Sequence, residues 1–558
     1  MIITINKQKI DEQAMGDISL YMNRLMKEVK EGDSIVFEPD IYEFKSKYAC
    51  EEFCYITNND YSLKKIAIPI INKKNIIIDG KGSTFMMTGR LMPFWIKESS
   101  NIVLKSLAID YKRPLFSQGI VEEASSNRIQ IRIDKSEFPY EIQDDVLYFV
   151  GEDYKESYIH GFLEYDITKK GPIKNAVDTS PHGIVKANEL EEGVLEIFYP
   201  FAKIADIGSM MTIKHEKRFV PGIAMDHSNH MTLEEVHVKQ AGTMAVVAQF
   251  CDTVTLKRIT VATDEQSQRV VSANADATHF VGCRGIVTVE DCLFQSQLDD
   301  AFNVHGNYLI VDKVLSPKCI IVQIGHFQQE GIFGLQSLGK VQILDRKTML
   351  AEGEVILKDK LILNRRYAML TFQEEFYFID GKEYCVDDID SYPEVIFRNN
   401  VVQNNRARGI LLTSKKKTVI ENNVFKTEGA AIKISGDMDF WFESGGCSDI
   451  QIKNNHLEST CNKEWGHGLI DIDPEMEICT EGDFYHKNIV IEDNDMVINH
   501  WPLTYARSVE NIIIKKNRIM YEDGRIIAND KKLPLENKWN ANMYIADNIF
   551  ETIENKLK

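Results

Sequence analysis

Asp276 and the pair Asp299-Asp300 are the residues whose type and spacing point most directly to chemistry. They lie in Asn274-Ala275-Asp276-Ala277-Thr278-His279-Phe280 and in Asp299-Asp300-Ala301-Phe302-Asn303-Val304-His305-Gly306. Asp276 and Asp299 are 23 residues apart, and 23 returns elsewhere in the chain as a repeat length. Acids one repeat apart stand side by side when repeats stack, roughly 4.8 Å apart at the backbone of a sheet. Carboxylates that close cannot all ionise freely, so at least one pKa is expected to rise. That suits glycoside hydrolysis: one carboxylic acid protonates the leaving oxygen while another carboxylate activates water or attacks the sugar. The competing reading is an acidic corner that is only solvated or that holds a cation. Calcium would need more oxygen ligands than this stretch offers.

Other residues could bind substrate. Asn303 and His305 are two apart, on one face of an extended segment, and could hydrogen-bond sugar hydroxyls. A polar ladder or a satisfied histidine is the alternative. Arg406 and Arg408 open a later coil, and Arg408 is the candidate to reach the acids; a surface salt bridge competes. Trp441, in Asp439-Phe440-Trp441-Phe442-Glu443, could stack on the apolar face of galactose, against the commoner fate of core packing. Arg269 and His279 flank Asp276. Gly80-Lys81-Gly82-Ser83 lacks the spacing of a phosphate loop and reads as a corner turn.

A repeated phrase has to position these residues. Asn75-Ile76-Ile77-Ile78-Asp79-Gly80, Val254-Thr255-Leu256-Lys257-Arg258-Ile259 and Val419-Ile420-Glu421-Asn422-Asn423 belong to a series of phrases read as alternating apolar and polar, then turning at Asn or Gly. Alternation predicts a strand with one buried face. Asn tolerates the left-handed backbone of a tight corner. In the last third the final Asn of each phrase falls at 400, 423, 455, 494, 517 and 548, in steps of 23, 32, 39, 23 and 31. About 23 residues is then a bare coil, and the longer steps carry loops. Repeats too short to make their own core must stack on their neighbours. The expected fold is all-β: a right-handed, single-stranded parallel β-helix. Leu256 and Val289 are 33 apart, so a loop of about ten residues is expected near Thr263 to Arg269.

Two stretches lack corner asparagines, and both read as small inserted antiparallel, barrel-like β domains. The predicted division is a cap and first coils (1–125), a first insertion (126–220), central coils bearing the acids (221–306), a second insertion (307–390) and C-terminal coils (391–558). Within the cap, Asp17 is a predicted N-cap for a helix whose stripe is Ile18, Tyr21, Leu25 and Val29. Such a helix would cover the open end of the stack.

The 558 residues carry a net charge of -19, which argues against nucleic acid or another polyanion as partner. No apolar run is long enough to span a bilayer. The first residues lack the form of a secretion signal, predicting a cytoplasmic protein, or a secreted or periplasmic one if a leader has been removed. The ten cysteines include no CxxC pair and are expected to be buried free thiols in a reducing compartment. A homo-oligomer is left open.

The two aspartate-bearing phrases resemble the signature of glycoside hydrolase family 110, the α-1,3-galactosidases that act on blood group B-type structures. The resemblance covers nearly the whole chain, and Asp-Asp-Ala-Phe-Asn-Val-His-Gly is its most specific run. It implies an inverting, exo-acting enzyme, no cofactor and no metal, a galactose-terminated oligosaccharide as partner, and Asp276, Asp299 and Asp300 as the catalytic set. The arrangement is also similar to that of polygalacturonases, which implies Asp299 as general acid with Asp276 and Asp300 holding the water. Those enzymes bind an acidic polymer through basic residues, and no basic cluster adjoins Asp299 in sequence. The alternatives are another β-helix carbohydrate enzyme, either a polygalacturonase-like hydrolase or a lyase, and a non-enzymatic glycan-binding β-helix.

Overall fold

In the computed structural model, residues 1–551 are described, apart from 216, 336, 337, 526 and 528. The alternating phrases form parallel strands that stack coil on coil. Ile420, Ile452, Ile491 and Ile514 lie in register in successive coils, and none is exposed. Each buried side chain of this size contributes roughly 1.5–3 kcal/mol. Such columns fill the interior of a β-helix walled by a 22-stranded and a 13-stranded sheet. The second sheet passes through Val246–Gln249, Thr278–Val281, Phe302–Asn307, Ile410–Leu412 and Ile432–Ile434, all parallel. The candidate acids sit at the entry to two of these strands.

The corners divide their work between two residues. Left-handed φ values fall on Asn399, Asn422, Asn454, Asp493, Lys516 and Asp547, each one residue before the Asn whose spacing marked the coils. The marker residues Asn400, Asn423, Asn455, Asn494, Asn517 and Asn548 instead turn inward. Each side-chain amide donates to the next side-chain oxygen, over 2.9–3.1 Å. They also satisfy backbone groups of their own and neighbouring coils, as Asn455 does for Ile420 O at 2.9 Å. Buried polar groups need such partners.

The chain leaves the helix after Ser100–Tyr111 and returns at Ile223–Asp226. Between them lies an antiparallel sheet with its own core, including Phe116, Phe149, Phe162 and Leu195. Ser117–Ala124 already belongs to this sheet, ahead of the boundary expected from the loss of corner asparagines. The other departure is a closed six-stranded barrel spanning Leu309 to Asp388. It joins the body through Tyr308, Leu344, Met349 and Cys385, which bury against Met438, Phe442 and Tyr485.

At the start, Asp17 caps the helix Ile18–Glu28 by accepting from Leu20 N at 2.9 Å. Ile18, Tyr21, Met22 and Met26 join the main core. A second helix, Lys7–Ala14, and a strand, Ile2–Ile5, precede it. The loop needed by the 33-residue step is present: Val238 pairs with Val261, whereas Ala241 bridges Ala273. The surplus therefore lies between residues 261 and 273. All ten cysteines are free thiols, with Cys251, Cys283 and Cys292 buried. Among the described residues no helix is long and apolar enough to cross a membrane.

Candidate active site

Ala273 bridges Gln297 and Thr278 pairs with Phe302, both 24 residues apart, so Asp276 stands opposite Asp300. The expected stacking of Asp276 on Asp299 is thereby corrected. This coil takes 24 residues here, one more than the 23 separating Asn400 from Asn423 in a later coil. Asp299 and Asp300 do not alternate across a strand, because the chain bends through residues 296–301, starting at Ser296 with φ 63°. Both can therefore turn to one cleft. That cleft, of about 620 Å³, is lined by Asp276, Asp299 and Asp300 together with Asn303, Arg408 and Trp441.

The three acids differ in surroundings. The Asp300 side chain is 2% exposed and is clamped by Arg408: Nε donates to Oδ1 at 2.8 Å, Nη2 to Oδ2 at 2.9 Å. The Arg408 backbone N–H adds a third donor at 3.0 Å. Burial pushes Asp300 up to about 7 against the pull of Arg408, with Asp299 and Asp276 adding to the rise. Asp276, 5% exposed, is raised well above the usual carboxylate range by burial and then by Asp299. Its Oδ2 lies 2.7 Å from His279 Nδ1. Asp299 is the most open of the three at 21%, and Oδ2 accepts from Arg218 Nη2 at 3.2 Å. The set thus combines acids that hold protons readily with arginines that stabilise negative charge.

Arg408 reaches Asp300, and Arg406 also lines the cleft but has a different acidic partner. It pairs with Asp178 of the first inserted sheet at 2.8 and 2.9 Å and lies over the Trp465 ring. Trp441 is half-buried on the cleft wall between the His326 ring and the Arg218 guanidinium. Its loop is organised by Asp437, whose carboxylate accepts backbone N–H groups from Asp439 to Phe442. Asn303 faces the cleft with a buried Oδ1 that has no partner among the described residues. His305 departs from expectation. It is fully buried behind the wall, with Nδ1 at 2.7 Å from Gly306 O and Nε2 at 3.0 Å from His279 Nε2. It cannot reach a sugar in the cleft, because the alternation that turns it away from the core also carries it under the Glu443 loop.

Several lining residues carried no sequence signal. Lys214 ends the last strand of the first inserted sheet and Arg218 lies in the segment just after it, about 60 to 80 residues before the acids they adjoin. Burial takes Lys214 down to about 7, and its Nζ donates to Asn274 O at 2.6 Å. Trp465, Lys433 and Glu443 come from later coils. A second chamber of about 650 Å³ adjoins the cleft and shares Lys214, Arg218, Leu298, Arg406, Phe440 and Trp441 with it. Among the described residues, two groups place possible metal-ligand atoms within 4.8 Å of one another: His279, His305 and Glu443, and His467, Asp471 and Asp473. In the second group Arg507 Nε already lies 2.7 Å from Asp473 Oδ1, and Lys433 Nζ lies 3.8 Å from Asp471.

Residues 117–211 match the family model described as GLAA-B beta-barrel domain I. Alpha-1,3-galactosidase A of Shewanella woodyi is 32% identical to this chain over 494 residues, covering 88% of the chain and 80% of the relative. The chain belongs to the α-1,3-galactosidase family. Alpha-1,3-galactosidase B of Bacteroides thetaiotaomicron is 30% identical over 498 residues, with 88% and 81% covered. The family places the protein among the glycoside hydrolases. A family 28 exopolygalacturonase of Yersinia enterocolitica aligns over 98% of this chain and 78% of its own, at 9% identity and a TM-score of 0.34. That likeness is too slight to bear on the site.

Proposed function

We propose that this protein is an exo-acting, inverting hydrolase that releases terminal α-1,3-linked galactose from blood group B-type or linear Gal-α-1,3-Gal glycans. The observation that carries the reading is the convergence of Asp276, Asp299 and Asp300 in one cleft under the control of Arg218 and Arg408. Asp300 has three N–H donors on its oxygens, which favours a carboxylate that orients and deprotonates water. Asp276 stands beside it on the adjoining coil and holds the same water. Asp299, the most exposed of the three, delivers its proton to the leaving oxygen. As the sugar gains oxocarbenium character, the carboxylates stabilise it, and water attacks from the opposite side. Asn303 and Trp441 line the sugar's place, the first as a hydrogen-bond partner and the second as an apolar platform. The resemblance in the aspartate phrases and the α-1,3-galactosidase relatives support galactose as the sugar released.

Proton NMR during the first minutes of reaction tests the mechanism: β-galactose appears first, and initial α-galactose would exclude inversion. Asp299→Asn is expected to lower kcat by roughly 10²–10⁴-fold with the far-ultraviolet circular dichroism unchanged. Comparing the branched fucosylated trisaccharide with the linear disaccharide then decides the natural preference.

A further inference from the structure

We infer that His279, His305 and Glu443 form a binding site for one Zn²⁺ or a similar first-row transition cation, seated behind Asp276. The three ligand atoms come from separate segments. His279 lies on Thr278–Val281, His305 on the adjoining Phe302–Asn307, and Glu443 on a short strand antiparallel to Gly306 and Asn307. The two Nε2 atoms are 3.0 Å apart, and Glu443 Oε1 is 3.4 Å from His305 Nε2. Donors about 2.0–2.1 Å from a tetrahedral zinc stand about 3.3 Å from one another.

The outer ring nitrogens decide the question. Gly306 O can only accept, so the His305 Nδ1 that faces it at 2.7 Å carries hydrogen and leaves a lone pair on Nε2. Where Asp276 is ionised, His279 Nδ1, 2.7 Å from its Oδ2, donates to it and likewise leaves its Nε2 with a lone pair. Two lone pairs and a carboxylate oxygen then converge. A proton on His279 Nε2 answers one pair and leaves Glu443 against the lone pair of His305. A dication answers all three. Histidines whose outer N–H is held by a carboxylate or a carbonyl are arranged as metal ligands are. Imidazole donors favour zinc and its neighbours over magnesium or calcium.

A second observation points the same way. Asn58 is 3% exposed, its Nδ2 lies 3.2 Å from Glu443 Oε1, and its own Oδ1 has no partner among the described residues. An unclaimed buried oxygen therefore lies beside the third ligand. Charge agrees too. Asp299 and Asp300 have arginine partners, whereas Asp276 and Glu443 have no Lys or Arg ion pair among the described residues. A bound cation would tie two coils and the Glu443 loop together and hold Asp276 in place through His279. Its role is positioning.

The test needs no substrate, so its outcome is independent of the proposed hydrolysis. The full chain is stripped with a chelator and titrated with Co²⁺, then with Zn²⁺. The expected result is one metal per chain by elemental analysis, visible Co²⁺ absorption of a tetrahedral site, and a melting temperature that rises with Zn²⁺. His305→Gln and Glu443→Gln abolish the absorption, and His467→Gln leaves it intact. Should the site variants fail to fold, the wild-type Co²⁺ spectrum and stoichiometry decide alone. Silent Co²⁺ with no metal retained on the chain would overturn the inference. So would binding retained in His305→Gln.

Discussion

At the residue scale, the candidate site works by giving three like residues unlike surroundings. Burial, chiefly, lifts Asp300 to about 7, and Arg408 sets how it ionises. A water-orienting Asp300 must be ionised, so kcat/KM is expected to rise with pH through about 7 and to be lost as the carboxyl takes up a proton. A kcat/KM profile without that acidic limb would remove Asp300 from the role. Stability carries the same linkage. Between about 4 and about 7 the folded chain holds a proton that the unfolded chain has released, so this group's contribution to stability falls as pH rises across that window. His305 shows where residue-level reading stops. Its spacing from Asn303 suggested a shared face toward sugar, but the Glu443 strand covers it. The cofactor-free expectation came from resemblance; the cluster behind Asp276 is assembled only by tertiary structure, since Glu443 arrives from 138 residues beyond His305.

At the element scale, the asparagine ladder is the device that keeps coils in register. The phrases revealed where its members lie but not what they do, since the residue before each one takes the left-handed corner. Asn455 donates to Ile420 O and Asn494 Oδ1 and accepts from the amide of Asn423. Asn455→Ala strands several of these groups in the interior. Each stranded group costs about 1–3 kcal/mol, so a loss of at least that size is expected in denaturant unfolding. A change within error would show that water replaces the amide. Asn455→Asp is no conservative rescue, because a carboxylate cannot donate onward to Asn494.

At the scale of the molecule, the insertions are parts of the site. The first contributes Arg218 and Lys214 to the cleft and Asp178 to Arg406. The barrel supports the loop that carries Trp441 and Glu443, with Phe442 packed against Gly325, where a Cβ would collide with the ring. Phe442→Ala is expected to cost about 3–5 kcal/mol and to raise KM, although Phe442 is buried away from the cleft. Thermal unfolding and steady-state kinetics check both. Unchanged KM would mean that Asp437 alone holds the loop.

The sequence by itself determined the stacked parallel fold, because alternation and corner asparagines are local signals repeated coil after coil. It also singled out Asp276, Asp299 and Asp300, and it placed a loop near Thr263 to Arg269, within the stretch 261–273 that holds the surplus residues. Tertiary structure decided which acid faces which, since the 24-residue register of this coil differs from the 23-residue spacing seen in the ladder. It alone brought Arg218, Lys214, Trp465 and Glu443 to the cleft. Their partners lie dozens to hundreds of residues away, and burial, which sets their charge states, is a property of the packed chain rather than of any segment.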